Sequence, residues 1–249
     1  MQFTVKKDKD LAFENFFLAL KHLKDEESTR FGGLNISEEL IQKANLLLHI
    51  SRRKFTTEQK EIFQEIISYF DTLWERYAPE IEKTYTKLKE MTELYGDWIS
   101  NAIPEFTNIA WSHNEIIFYP SVLQWAGALD NFISVGIGPQ FFFDKDFISV
   151  LIHEMIHVNT DEIKISGPTY PKDSREITNT LIVGKITRKM NNEFGIMIRN
   201  LPLAVPFRIY KDDWQLLKSS LRDVNEFSGA VKIIDKYLVS KGHSEVYKN

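Results

Sequence analysis

The sequence has no cysteine at any of its 249 positions. That excludes a disulfide framework and every thiolate metal site, and it leaves His, Asp and Glu as the only good zinc ligands available. A basic excess is missing too. The formal net charge is -4 and the pI about 5.9, whereas general nucleic-acid binding needs a concentrated basic face. Arg188, Lys189, Arg199, Arg208 and Lys211 make the region after Lys185 mildly basic, but they are too scattered to form a patch. No window approaches the roughly 18 uninterrupted apolar residues of a membrane span. The first apolar stretch is broken by Glu14 and Asn15 and closed by Lys21, so it forms no secretory core. Repeats and low-complexity segments are also absent. The expectation is a cytoplasmic protein with no strong nucleic-acid signal and no membrane span.

What is present is core material. Hydrophobic residues make up 43% of the chain, with 18 Phe, 9 Tyr and 5 Trp among them. A core of that size needs no metal to hold it together, so any metal would be functional. Residues 1–100 read as a helical subdomain or cap, and residues 101–249 as a second domain with a helical C-terminal region. In the first part, Leu11, Phe16, Phe17, Leu20 and Leu23 recur at helical spacing, as do Ile62, Ile66, Tyr69, Phe70 and Leu73. Gly32 and Gly33 interrupt the first helices, Asn35 or Ser37 starts the next, and Pro79 marks a break or a first turn.

From Ile103 to Phe143 the texture changes to short β-branched and aromatic runs. Glu115 to Tyr119 and Phe132 to Gly136 read as strands, two or three in all, separated by Pro120 and a Gly-containing connection. The pair Gly136 and Gly138 lacks the third glycine of a dinucleotide fingerprint, so a turn or bulge is the reading. Asp144 is a good N-cap, with Phe143 and Ile148 placed as a hydrophobic staple, and the apolar helix that follows runs through Val158. Its Ile148, Val150 and Ile152 are poor helix formers, which makes a strand the competing assignment. A loop over Ser166 to Pro171 leads to a second helix from Asp173 to about Met190, and Asp212 to Ser240 reads as two further helices.

Within the apolar helix lies the run His153, Glu154, Met155, Ile156, His157. Imidazoles four residues apart project from one helix face and can chelate one ion. Zn2+ is the natural candidate, because a catalytic zinc keeps one position open for water and lowers its pKa toward about 7. Glu154 is then placed to take the proton as water attacks a carbonyl. The alternative is that all three side chains hydrogen-bond internally without a metal.

A third ligand is required. Ile163 stands where a metzincin would place its third His, so that continuation fails. Glu176, in the first turn of the following helix, is the leading choice. Asp173 and Glu176 also have capping-box spacing, so Glu176 closing a helix end is the competing reading. Asp161 is the alternative ligand or an outer partner of one. For stabilising an oxyanion the candidates are Tyr170 and Tyr210, then Arg208 and His243, the last in a tail expected to fray. His22, His49 and His113 read as surface or internally satisfied histidines.

His153 to His157 followed by Glu176 resembles the gluzincin zinc peptidases, in which a glutamate on a second helix completes the site. The resemblance covers roughly Glu115 to Met190. It implies an α+β, zincin-like fold with a small mixed or antiparallel sheet packed on the metal-binding helix. A strand before that helix would pair with an extended peptide or protein substrate, and Glu115 to Tyr119 or Phe132 to Gly136 would take the role. Arg175 and Thr180 depart from the Asn and Asp that flank the ligand glutamate in the best-known members, leaving Asn179 or Thr180 as possible partners of His153. Leu151 to Val158 also looks like the SprT-type proteases that act on DNA-bound proteins. Their third ligand is a downstream histidine, and this chain has none between His157 and His243. The expected function is a zinc metallopeptidase, with a non-catalytic zincin-like binding module as the alternative of a different class.

Overall fold

The computed structural model describes residues 1–22, 34, 36–47, 50–123, 126–137, 144–198, 217 and 226–244. They form a mostly helical α+β fold with one small four-stranded sheet. Two compact units are present, one comprising Gln2–Leu94 and Glu115–Phe142, the other Met1, Tyr95–Asn114 and Phe143–Asn249.

The first unit contains β1 (Gln2–Val5), α1 (Lys9–His22), α2 (Glu38–Leu46), α3 (Thr57–Arg76), the first part of α4 (Ala78–Thr107), β2 (Glu115–Ser121), β3 (Gly127–Leu129) and β4 (Phe132–Gly136). Local chemistry starts the helices. The Asp8 carboxylate accepts the N–H groups of Asp10 and Leu11, both at 3.0 Å. Ser37 Oγ accepts the Leu40 N–H, and Thr56 with Gln59 forms a reciprocal capping box. Pro79 falls in the first turn of α4, just past the break at Tyr77. Phe16, Phe17 and Leu20 of α1 meet Leu40, Ile41 and Ala44 of α2, Ile66, Phe70 and Leu73 of α3, and Tyr119 of β2 in one core. Leu23, Gly32, Gly33 and Asn35 lie outside the described residues.

Strand order is β1-β2-β4-β3, with β1, β2 and β4 parallel and β3 antiparallel to β4. β2 and β4 occupy the two expected runs. β1 does not follow from the mixed-charge N-terminus; it becomes a strand because Phe3 and Val5 find Ile116 and Phe118 as partners. Pro120 cannot donate to a ladder, yet it is tolerated in β2 because the pairing with β1 ends at Phe118. The expectation that β2 or β4 pairs with substrate meets a sheet in which both are inner strands: β1 pairs with β2 over Glu115–Phe118 and β3 with β4 over Phe132–Ser134, which takes those stretches of edge. The outer strands among the described residues are β1 and β3.

The second unit holds the end of α4, α5 (Asp144–Thr160), α6 (Pro171–Phe194) and α7 (Phe227–Ser240). Helical texture does not stop at Ile103. α4 continues through Pro104 to Thr107, and Asn108 then turns the chain at φ 56°. Proline in a helix interior leaves the carbonyl four residues earlier without its N–H. Here that carbonyl belongs to Ser100, and the Trp111 Nε1–H donates to it at 2.8 Å.

α5 is helical despite its β-branched residues, because Phe147, Ile148, Val150, Leu151, Ile152, Met155, Ile156 and Val158 are buried almost all round it. Tertiary burial overrides propensity there. Phe143 of the expected staple lies outside the described residues. α6 begins at Pro171 rather than Asp173 and runs past Met190 to Phe194, where Gly195 ends it at φ 63°. Of the two helices expected from Asp212 to Ser240, α7 is one; apart from helical, buried Leu217, the rest lies outside the described residues. No helix among the described residues is long and apolar enough to cross a membrane.

The bond from Trp111 gives a direct test of how α4 survives Pro104. Trp111→Phe, which keeps an aromatic ring but removes the donor, is expected to lower stability by about 1–2 kcal/mol in denaturant unfolding. Adding Pro104→Ala in the same background should recover much of that loss, since it restores a backbone N–H that can serve the Ser100 carbonyl.

Candidate metal centre

On α5 the buried residues leave one polar stripe, and His153, Glu154 and His157 occupy it, each half-buried. Spacings of one and four residues put the three on neighbouring faces of the helix. Ionisable side chains on a helix so largely buried need partners from outside it.

α6 supplies them. Its N-cap residue is Tyr170, Pro171 takes the first helical position, and Asp173 is therefore inside the first turn. The capping-box reading of Asp173 and Glu176 fails for that reason, and Glu176 is free to point at α5. Glu176 Oε2 lies 3.4 Å from His153 Nε2 and Oε1 lies 3.1 Å from His157 Nε2. The two Nε2 atoms are 3.1 Å apart. Arg175, next to Glu176, sets this approach: its guanidinium donates to the Thr160 carbonyl at 2.9 Å and to the Ile163 carbonyl, tying α6 to the C-terminal end of α5. Four orphan carbonyls at a helix end welcome such a cation. That is what the Arg departing from the resembled pattern does here.

His157 is held from a second side. Its Nδ1 is 3.2 Å from Asp161 Oδ1, just past the end of α5, a carboxylate acceptor that suits a proton on Nδ1 while Nε2 faces His153 and Glu176. Asn179 Nδ2 lies 3.2 Å from His157 Nε2. Asn179 thus serves His157 and not His153, while Thr180 Oγ1 donates to its own helix at the Glu176 carbonyl, 2.9 Å away. His153 Nδ1 and Asn179 Oδ1 are buried without a protein partner among the described residues.

The donor set fits a zinc ion. Zinc–ligand bonds of about 2.0–2.2 Å in tetrahedral geometry separate donor atoms by about 3.3 Å. The three protein groups meet at 3.1 to 3.4 Å, and His153, His157 and Glu176 form a group able to hold an ion. Lone pairs brought this close need a shared cation, either a metal or protons.

Without metal the protons do it. Burial draws the His157 imidazole down, but its hydrogen bonds to Asp161 and Glu176 outweigh that and raise it well above its usual value of 6.5. Burial pushes the Glu176 carboxyl up, and the hydrogen bonds and charges of His153 and His157 overcome this, holding it well below the carboxylate range. Glu154 goes the other way: burial raises it, against the lowering influence of His153 and His157.

Comparison with protein-family models, curated proteins and solved structures finds no match. The case for a centre therefore stands on the geometry of these residues alone.

Other expected residues are not gathered there. The Tyr170 ring packs edge-on against His243 at 5.0 Å and joins the core between α6 and α7, and none of its described hydrogen bonds reaches the cluster. Tyr210 and Arg208 lie outside the described residues, as do the side chain of His22 and all of His49. His243 does not fray: it is 5% exposed, with Nε2 2.6 Å from Asp173 Oδ2. Asp161 supports His157 and is not one of the three converging groups. Sequence reasoning missed Arg175 and Asp235. An acid at 235 among the apolar residues of α7 was the available signal for the second.

Linkage gives the metal-free cluster a pH signature. Glu176, lowered on folding, stabilises the fold above its unfolded value of about 4.3; His157, raised on folding, stabilises it below its unfolded value of about 6.5. Both contributions are complete between those limits. In metal-free protein, Glu176→Gln should cost about 2 kcal/mol near pH 5.5, and the difference from wild type should shrink above neutrality as His157 loses its proton. Thermal melts across pH 4 to 9 would read it, and a pH-independent difference would contradict the pairing.

Proposed function

We propose that this chain is a zinc-dependent hydrolase of peptide bonds with a zincin-like fold. The observation that carries the reading is the convergence of His153 Nε2, His157 Nε2 and the Glu176 carboxylate at 3.1 to 3.4 Å, with Glu154 on the same helix as the two histidines. His153, His157 and Glu176 would hold the ion. Bound zinc supplies Lewis acidity, lowering the pKa of water toward about 7 and polarising a carbonyl.

The protein's own groups supply the proton handling. Glu154, raised by burial, is the base that takes a proton from the attacking water and returns it to the leaving amine, a task suited to a carboxyl brought closer to neutrality. Asp161 and Asn179 hold the His157 ring in orientation. The zincin-like reading of the fold is supported by the succession of motif helix and glutamate helix in a chain with a small mixed sheet. A peptide or protein substrate and a cytoplasmic setting belong to the same proposal. The SprT-like alternative loses its support, because His243, the one histidine after His157, is committed to Asp173.

Protein purified from zinc-supplemented medium should carry about one zinc per chain; His157→Ala should lose it, and Glu176→Gln, which keeps both histidines, should hold it far more weakly. Glu154→Gln should keep the zinc while hydrolysis of a fluorogenic peptide library falls by at least about 100-fold. Near-zero zinc after reconstitution of the wild type would sink the metal reading. Zinc bound alike by wild type and Glu154→Gln with no turnover in either would favour a binding module.

A further inference from the structure

The start of α6 has no cap of its own. Tyr170 offers no side-chain acceptor to the first turn, and a helix begins with N–H groups that need one. Just ahead of that turn, α7 supplies an acceptor to the entering backbone. Asp235 takes the Thr169 N–H at 2.9 Å and the Tyr170 N–H at 2.6 Å, and Ser174 Oγ lies 3.5 Å from it. Asp235 is 6% exposed, so these bonds are shielded and its negative charge sits at the favourable end of the α6 dipole.

A second tie lies beside the first. After α7, Gly242 adopts φ 62°, and the His243 N–H returns to the Leu238 carbonyl at 3.1 Å, a left-handed helix ending of the kind glycine permits. That turn aims His243 back at α6, where it meets Asp173 at 2.6 Å. Ile177 and Leu181 of α6 pack on Ala230, Ile234 and Leu238 of α7 around these polar contacts.

We propose that Asp235 and His243 are positioning residues for Glu176, so that metal affinity depends on the docking of α7. The inference rests on the reading of His153, His157 and Glu176 as metal ligands. Glu176 follows Asp173 by three residues, in the turn of α6 just after the tied one, so a start of α6 released from α7 shifts the carboxylate away from the imidazoles. The two imidazoles do not share this dependence, because the burial of α5 holds them. Without the α7 ties the centre keeps two histidines and loses its carboxylate.

The test compares wild type, Asp235→Asn, His243→Gln and Glu176→Gln by zinc affinity in chelator competition, by the visible spectrum of the Co2+-substituted protein, and by metal-free melting. Asp235→Asn and His243→Gln should each weaken zinc by about 10–100-fold and shift the Co2+ bands toward those of Glu176→Gln. Should Asp235→Asn fail to fold, His243→Gln, which leaves the Asp235 bonds intact, carries the comparison. Variants that melt earlier without metal yet keep the wild-type zinc affinity and Co2+ spectrum would overturn the positioning role. Failure of the wild type to bind zinc would instead overturn the metal reading, and this inference with it.

Discussion

A buried polar group must find a partner, and α5 turns that rule into a site. Most of the helix from Phe147 to Thr160 is buried, so His153, Glu154 and His157 have little water to satisfy them. The imidazoles find their partners in Glu176 and Asn179 across on α6 and in Asp161, just past the end of α5. The distances that result suit either shared protons or one metal ion. The pKa directions follow from the same crowding: His157 rises because two carboxylates face it, and Glu176 falls because two imidazoles face it.

The same accounting governs the backbone of this unit. Three places leave carbonyl or N–H groups that their own helix cannot serve, and a side chain from elsewhere in the chain serves each. Trp111 bonds the Ser100 carbonyl that Pro104 abandons. Arg175 gathers carbonyls at the end of α5. Asp235 accepts the N–H groups at the start of α6. The last two bracket Glu176, so the contacts that complete the secondary structure also hold the proposed third ligand in place.

Much of the fold was legible from local pattern. Ser37 caps as its side chain dictates, the runs Glu115 to Tyr119 and Phe132 to Gly136 form strands, and the spacing of His153 and His157 aligns their imidazoles. Where reading failed, a distant partner decided. β1 exists because β2 lies beside it, with Thr4 bonded to Glu115 111 residues away. α4 passes Pro104 because of Trp111, and His243 is buried rather than frayed because Asp173 meets it. Glu176 illustrates both sides: capping box and ligand were equally compatible with its spacing, and the start of α6 at Pro171 separated them.

By itself, then, the sequence determined that His153 and His157 share one helix face. Residue type and a spacing of four are local properties, and a helix converts them into one face without reference to the rest of the chain. Only the tertiary structure decided that Glu176 faces those imidazoles, that Arg175 and Asp235 hold its helix, and that Tyr170 packs against His243 instead. Contacts between residues tens of positions apart depend on how helices pack and on which buried polar groups can satisfy one another, and neither is encoded in any short stretch of chain.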